Sequence, residues 1–286
     1  MREDSSTPSG KLFVVATPIG NLQDITLRAL KVLSEVALVA AEDTRHTQKL
    51  LSFHGIRARL FSYREQNHAR AAAHLLAFLR EGNDVALVTD AGTPVLSDPG
   101  GRLVEGMVGA GIQVVPIPGP SALISAVSVA GLAAEHFAFL GFLPRKPGAL
   151  RRLIEQLASF PGSLIFYESP QRLADTLGVL HGVLGARRAL VARELTKLHE
   201  TLDRGTLKEL AERYCGGTRG EVTVVIEGAR ECASELSPEW QTLLTAIARG
   251  SQLSPGRIAE LLEPLCKAGK RDLYQRVVAA RAAPNP

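Results

Sequence analysis

The feature that most constrains this chain is an alternation. Short apolar, often β-branched runs each end in a loop rich in Gly, Pro or Asp, and a stretch with helical periodicity follows. The first run, residues 12–16, ends at Thr17-Pro18-Ile19-Gly20-Asn21. Further runs at 36–40, 60–62, 84–89 and 114–116 are separated by amphipathic stretches, two of them near 65–80 and 101–110. Apolar runs this short read as buried strands, and their alternation with helices predicts a mostly parallel sheet covered on both faces. From about residue 137 a second α/β unit begins, with apolar runs at 137–143, 163–167, 189–192 and 221–227 and helices near 148–158, 171–184 and 206–214. After Gly228 only helix starts remain, at Ser237-Pro238-Glu239, Leu253-Ser254-Pro255-Gly256 and Lys270-Arg271-Asp272. The predicted organisation is a flexible tail (1–10), an α/β domain (11–120), a second α/β domain with its linking helix (121–230) and a small helical module (234–286), for which a helix-turn-helix is one possibility.

Composition removes several classes. With 286 residues, 45% hydrophobic and 22% charged, 26 Gly, 16 Pro and a net charge of +4, the chain is neither disordered, collagenous nor a coiled coil. The basic residues are mostly Arg, which suits a phosphate-bearing partner but is also what a GC-rich genome produces. Cys215, Cys232 and Cys266 are odd in number and widely spaced, which argues against a disulfide framework and a zinc site, and no metal is expected. The start, Met1-Arg2-Glu3-Asp4-Ser5-Ser6, lacks the pattern of a signal peptide, so a cytoplasmic location is expected. The most apolar stretch, residues 122–134, falls short of the ~20 residues that span a bilayer, so no membrane association is expected.

In an open α/β sheet a ligand sits beyond the carboxyl ends of the strands. Three loops there are built for close backbone approach: 17–21, 89–101 and Pro116-Ile117-Pro118-Gly119-Pro120-Ser121-Ala122. Taken singly, each is equally a tight turn. No G-x-G-x-x-G follows the first strand, and there is no G-x-x-x-x-G-K-[ST], G-x-S-x-G or H-E-x-x-H. Dinucleotide, P-loop and common hydrolase chemistries are therefore disfavoured.

Seven segments in order carry a resemblance: Ala16-Thr17-Pro18-Ile19-Gly20-Asn21-Leu22, Glu42-Asp43-Thr44-Arg45, the 90–101 loop, Pro118-Gly119-Pro120-Ser121-Ala122, Gly141-Phe142-Leu143-Pro144, Tyr167-Glu168-Ser169-Pro170-Gln171-Arg172 and Arg193-Glu194-Leu195-Thr196-Lys197. From about residue 12 to 228 the chain resembles the tetrapyrrole methylase superfamily, in the branch that 2'-O-methylates a cytidine of bacterial 16S ribosomal RNA, and the helical tail is similar to that branch's small C-terminal domain. The resemblance implies a two-domain α/β homodimer that binds S-adenosyl-L-methionine between its domains and acts on 16S rRNA of the small ribosomal subunit. It implies cofactor contacts from Pro18, Asp90, Ala91, Gly92, Thr93, Leu96, Ser121 and Ala122, with Glu168 and Leu195 approaching from the second domain. Where the tetrapyrrole-methylating relatives carry Gly-Gly-Asp-Pro, this chain has Ala91-Gly92-Thr93-Pro94, so a hydroxyl replaces a carboxylate.

A ribose hydroxyl is a weak acid and gains from a base or cation beside it. The residues expected there are Lys197 or Glu194, with Arg45 on backbone phosphate. The competing readings are a helix cap for 42–45 and a local ion pair at 193–194. Arg145, Lys146, Arg151 and Arg152 form a basic cluster expected to hold RNA, or else a solvated face. Two further functions fit the same chain: methylation of a tetrapyrrole in the same fold, and non-catalytic nucleic-acid binding through the helical tail.

Overall fold

The computed structural model describes residues 9–133, 135–229, 237–265 and 268–282. Most of the expected flexible tail, together with Cys232 and Cys266, lies outside the described residues; Cys215 is a free, exposed thiol.

The first sheet contains β1 (Leu12–Val15), β2 (Leu38–Ala41), β3 (Leu60–Ser62), β4 (Val85–Val88) and β5 (Val114–Ile117) in the order β3-β2-β4-β1-β5. Every pairing in it is parallel. Burial shows why the strands read as unbroken apolar runs: β2 and β4 are buried at all positions, and successive residues serve opposite faces. Leu38, Ala40, Val85 and Leu87 pack against Leu75 and Leu79 of α3 (His68–Arg80) and Leu103 and Met107 of α4 (Gly101–Gly109). Val39, Ala41, Ala86 and Val88 pack against Ala29 and Leu33 of α1 (Leu27–Glu35) and Leu50 and Leu51 of α2 (Thr44–Phe53). Thr26 caps α1 by accepting from Ala29 N, and Asp43 caps α2 by accepting from Arg45 N.

The second sheet contains β6 (Phe137–Phe142), β7 (Ser163–Glu168), β8 (Arg188–Arg193), β9 (Thr201–Thr206) and β10 (Val222–Ile226), ordered β6-β7-β10-β8-β9. It is mixed: β6 and β7 are parallel, whereas β10 runs antiparallel to both β7 and β8, and β9 antiparallel to β8. Strand β9 has no counterpart among the predicted strands. Its sequence, Thr-Leu-Asp-Arg-Gly-Thr, has one large apolar residue, which an edge strand tolerates because only one side is paired. Helix α5 (Ala122–Val129), capped by Ser121, lays Leu123 and Ala126 on Ile165, Leu190, Ala192 and Val225. Helices α6 (Pro147–Gln156), α7 (Leu173–Leu184) and α8 (Leu207–Arg213) complete this half.

Contacts divide the chain into two compact units. One runs to Ala158 and resumes over Gly162–Gly228, so both sheets belong to it. The other contains α9 (Pro238–Gly250), α10 (Pro255–Leu262) and α11 (Lys270–Ala282) around Leu244, Ala248, Ile258, Ala259, Leu262, Leu273 and Val277. Ser237 and Ser254 cap α9 and α10 with Pro in the first turn, the start signals visible in the sequence. Arg281 donates to the Ala248, Ser251 and Leu253 carbonyls, supplying partners at the carboxyl end of α9 and just beyond it.

Candidate functional site

The order of the first sheet creates the site. From β1 the chain moves through α1 to β2 on one side, and from β4 it passes through α4 to β5 on the other. The chain leaves the adjacent carboxyl ends of β1 and β4 in opposite directions, α1 packing on one face of the sheet and α4 on the other, which is where α/β sheets open a crevice. Their loops are tied by a two-residue bridge: Thr17 N donates to Gly92 O at 2.9 Å and Gly92 N to Thr17 O at 3.0 Å. The buried Thr17 hydroxyl donates to Thr89 O at 3.1 Å, fixing the base of the second loop.

Beside this bridge lies a cavity of about 300 Å³. Its first-sheet wall is small and largely apolar: Ile19, Ala91, Gly92, Thr93 and Leu96, joined by Ser121 and Ala122 at the start of α5. Ser97 and Asp98 continue that wall. The opposite wall comes from the second sheet: Phe142 from β6, Tyr167 to Pro170 at the end of β7, and Gly220 to Thr223 at the start of β10. Residues 220–223 arrive there because β10 is antiparallel, pairing its first residue, Val222, with both Glu168 and Arg193 at the ends of β7 and β8.

The 193–197 loop closes onto the loop that follows β1. Thr196 Oγ1 accepts from Asn21 N at 3.1 Å, and Gly20 lies so close that a Cβ there would stand 2.5 Å from Lys197 Cγ and 2.9 Å from Leu195 O. Among the described residues, the non-glycine positions with left-handed φ are Val95, Ser97, Glu194 and Thr196, all in the loops beside this site. Such backbone costs on the order of 1–3 kcal/mol per residue and persists only where surrounding contacts hold it.

The charges divide into held and unheld groups. Glu168 is buried, and its carboxylate accepts from Thr176 Oγ1 at 2.7 Å and Ser169 N at 2.8 Å while pairing with Arg172 at 3.2 Å. Arg172 also donates to the Leu143 and Pro144 carbonyls, so this buried pair anchors the loop after β6. Lys197 bridges Glu194 at 2.9 Å and Glu221 at 3.2 Å. Burial alone would lower the Lys197 pKa, but its two carboxylate partners outweigh burial and hold the ammonium form. Glu194 is shifted down by the Glu221 backbone N–H and by Lys197. Asp98 behaves oppositely: burial, then the neighbouring Glu42, Asp90 and Glu221 carboxylates, push it up to about 6, against one hydrogen bond from Thr89.

Of the residues expected at a cofactor, Ala91, Gly92, Thr93, Leu96, Ser121, Ala122 and Glu168 line the cavity. Pro18 and Asp90 lie off it, lining a smaller pocket with His46 and Thr47, and Ile19 takes the cavity position beside Pro18. Asp90 Oδ1 accepts from Asp43 N at 3.1 Å. Leu195 packs into the core beneath α5, away from the cavity lining. Lys197 and Glu194 form the ion-paired clasp and do not line the cavity. Arg45 is exposed and paired with Asp43 at 2.9 Å, the helix-cap arrangement. Arg145, Lys146, Arg151 and Arg152 are exposed, and none is in an ion pair among the described residues. The sequence reading missed Asp98 and Glu221 as cavity residues. Asp98 sits in a recognised loop, whereas Glu221 precedes a strand, where no rule about strand ends would look. Among the described residues no cluster of His, Cys, Asp and Glu has a metal-binding arrangement, and no helix is long and apolar enough to cross a membrane.

Residues 11–211 match the family model of tetrapyrrole (corrin/porphyrin) methylases. The chain is similar to proteins named ribosomal RNA small subunit methyltransferase I. It is 43% identical to that of Mesorhizobium japonicum, over 93% of this chain and 91% of the relative. To the Haemophilus influenzae protein it is also 43% identical, over 93% and 96%. The Thermotoga maritima protein is 47% identical over 77% of this chain but 99% of its own length, so roughly a quarter of this chain has no counterpart there. Among solved structures the fold is similar to a uroporphyrin-III C-methyltransferase of Thermus thermophilus, with TM-score 0.52 and 23% identity over 76% of this chain and 94% of that one. It is also similar to a cobalt precorrin-4 methyltransferase, with TM-score 0.58 and 16% identity over the same shares.

Proposed function

The chain belongs to the tetrapyrrole methylase family, and from that premise we propose that it methylates small-subunit ribosomal RNA with S-adenosyl-L-methionine as methyl donor. It is a methyltransferase, and the observation that carries the RNA reading is 43% identity along 93% of the chain to relatives bearing that name. The finer assignment is the 2'-hydroxyl of a cytidine in 16S rRNA, by a cytoplasmic homodimer acting on the small ribosomal subunit.

The cavity residues fit the donor. Ala91, Gly92, Thr93, Ser121 and Ala122 leave room for a flat, close-packed ligand, Ile19 and Leu96 offer apolar surface, and the carboxylate of Glu221 suits a cation. When bound, the donor supplies an electrophilic methyl group. The protein's own task is then to align a hydroxyl, exclude water and accept a proton. Lys197, held as an ammonium by two carboxylates, is not the acceptor; with Glu194 it fixes Glu221 and the clasp. Asp98 takes the proton. Pushed up to about 6, it is a stronger base than an ordinary aspartate and is still ionised near pH 7. Arg145, Lys146, Arg151 and Arg152 hold phosphates.

The test offers labelled donor with free 16S rRNA, assembled small subunits and a reduced tetrapyrrole side by side. Label in RNA is expected; label in the tetrapyrrole alone overturns the reading. The donor should also raise the unfolding temperature, because a ligand selective for the native state must stabilise it.

A further inference from the structure

Strand β6 carries an irregularity that its sequence does not announce. Phe137, Ala138 and Phe139 pair in order with Ser163, Leu164 and Ile165 of β7, but the next pair is Phe142 with Tyr167, so β6 spends one extra residue. In a regular strand, two residues beyond Phe139 would be Gly141, and Phe142 would point to the opposite face. The bulge restores Phe142 to the face of Phe139 and Tyr167. Gly141 makes it possible with φ of 62°, and a Cβ there would stand 3.0 Å from Ser97 Oγ of the opposite wall. Three rings result in series: Phe139 meets Tyr167 edge-on at 5.0 Å, and Tyr167 meets Phe142 at 5.7 Å. The outermost ring, Phe142, lines the cavity yet is 62% exposed. Phe142 thus carries the cavity lining out to solvent as a flat aromatic face on which a planar group can lie. Three residues further on begins the exposed basic stretch of Arg145 and Lys146, continued on α6 by Arg151 and Arg152.

We infer that Phe142 is a stacking platform for the target nucleobase, which lies on its ring while the attached ribose reaches into the cavity. The inference rests on the RNA-methylating reading above and names what positions the nucleotide. Two features favour a nucleobase as the occupant: the ring is continuous with the cavity, and the cations that follow it are in no ion pair among the described residues. Proteins hold unpaired nucleotides by this pairing of aromatic face and basic groove. Phe142 does no chemistry; it acts on where the hydroxyl sits.

The test compares methyl transfer to small subunits by the full chain and by Phe142→Ala, Phe142→Leu and Phe142→Tyr. Loss of the ring should raise KM for RNA roughly 5- to 100-fold in the Ala and Leu variants, with a smaller change in kcat, whereas Tyr stays within about threefold of wild type. Leu keeps the apolar packing on Tyr167, so a folding defect in the Ala variant would not obscure the result. Stabilisation by the methyl donor should be unchanged in all three. Small subunits rebuilt with an abasic nucleotide at the methylated position should be poor substrates for wild type but no worse than normal subunits for Phe142→Ala. An unchanged KM in the Ala and Leu variants, an abasic penalty equal in wild type and variant, or a change of oligomeric mass that marks the ring as a subunit contact would overturn the inference alone. Absence of any transfer to RNA by wild type would overturn the functional reading and the inference with it.

Discussion

The two walls of the cavity are built by opposite means. The parallel sheet contributes loops that follow its strands, and what they present is backbone and small side chains: Ala91, Gly92, Thr93, Ser121 and Ala122. The mixed sheet contributes rings and charges, Phe142, Tyr167 and Glu221, held by a bulge, a buried ion pair and a three-residue salt bridge. The contrast suggests a division of labour. A wall of small groups suits a ligand of fixed shape, and a wall of large and ionised groups suits a substrate that must be gripped and turned. Asp98 is the exception, a carboxylate supplied by the small-residue side with the other wall's Glu221 among the charges that shift it.

That exception offers the sharpest way to break the division. Asp98→Asn should lower turnover about 100-fold or more, the scale of general-base help, with donor binding retained. Turnover in wild type should rise as pH climbs through about 6, where Asp98 ionises, and the variant should lose that rise. Stability should move the other way. The folded-state pKa is above that of a free aspartate, so between about pH 4 and 6 the native state holds a proton that the unfolded chain has released. Raising the pH through that window therefore costs stability. Above it, Asp98→Asn should melt at a higher temperature than wild type, by about 2–4 °C for each kcal/mol recovered. A single variant that loses rate and gains stability would mark Asp98 as functional.

Next in size is the anchor of the other wall. Glu168→Ala leaves Arg172 without its carboxylate and Thr176 without its acceptor, and should cost on the order of 3 kcal/mol in denaturant unfolding. Gly20→Ala should cost about 1–3 kcal/mol, because the added methyl meets the Leu195 carbonyl and the Lys197 stem, and it should weaken turnover by prying the walls apart. Gly148→Ala, in α6 where a Cβ meets nothing, is the control and should not destabilise, gaining up to about 1 kcal/mol. The smallest effect concerns grip. Replacing Arg151 and Arg152 by Ala should flatten the dependence of RNA binding on log salt by about two phosphate contacts and leave donor binding intact, as titration at several ionic strengths would show.

What the sequence made legible follows the same contrast. Each strand of the parallel sheet is an apolar run with a loop behind it, so the strands, the covering helices and much of the small-residue wall could be read directly. The mixed sheet hid more. Strand β9 is a polar edge that burial does not mark. The direction of β10 is set by its neighbours, and nothing in Val-Thr-Val-Val-Ile says that its beginning, rather than its end, faces the site. Glu221 was missed for that reason. Lys197, Glu194 and Arg45 drew attention as charged residues in recognised segments. Composition could not show that their charges are already matched, Lys197 to Glu194 and Glu221, and Arg45 to Asp43.

The position of β10 has a consequence for how the chain reaches its shape. Among the described residues it is the last strand made, yet it occupies the centre of its sheet, between β7 and β8. Until residue 226 has been synthesised, β7 and β8 each expose an edge that belongs to a strand not yet present, and pairing with each other is the nearest wrong solution. The first sheet is complete by Ile117 and can fold during synthesis, while the second must wait for its middle strand. A nascent chain therefore carries a finished small-residue wall well before it has a cavity, and the enclosure closes in one late insertion.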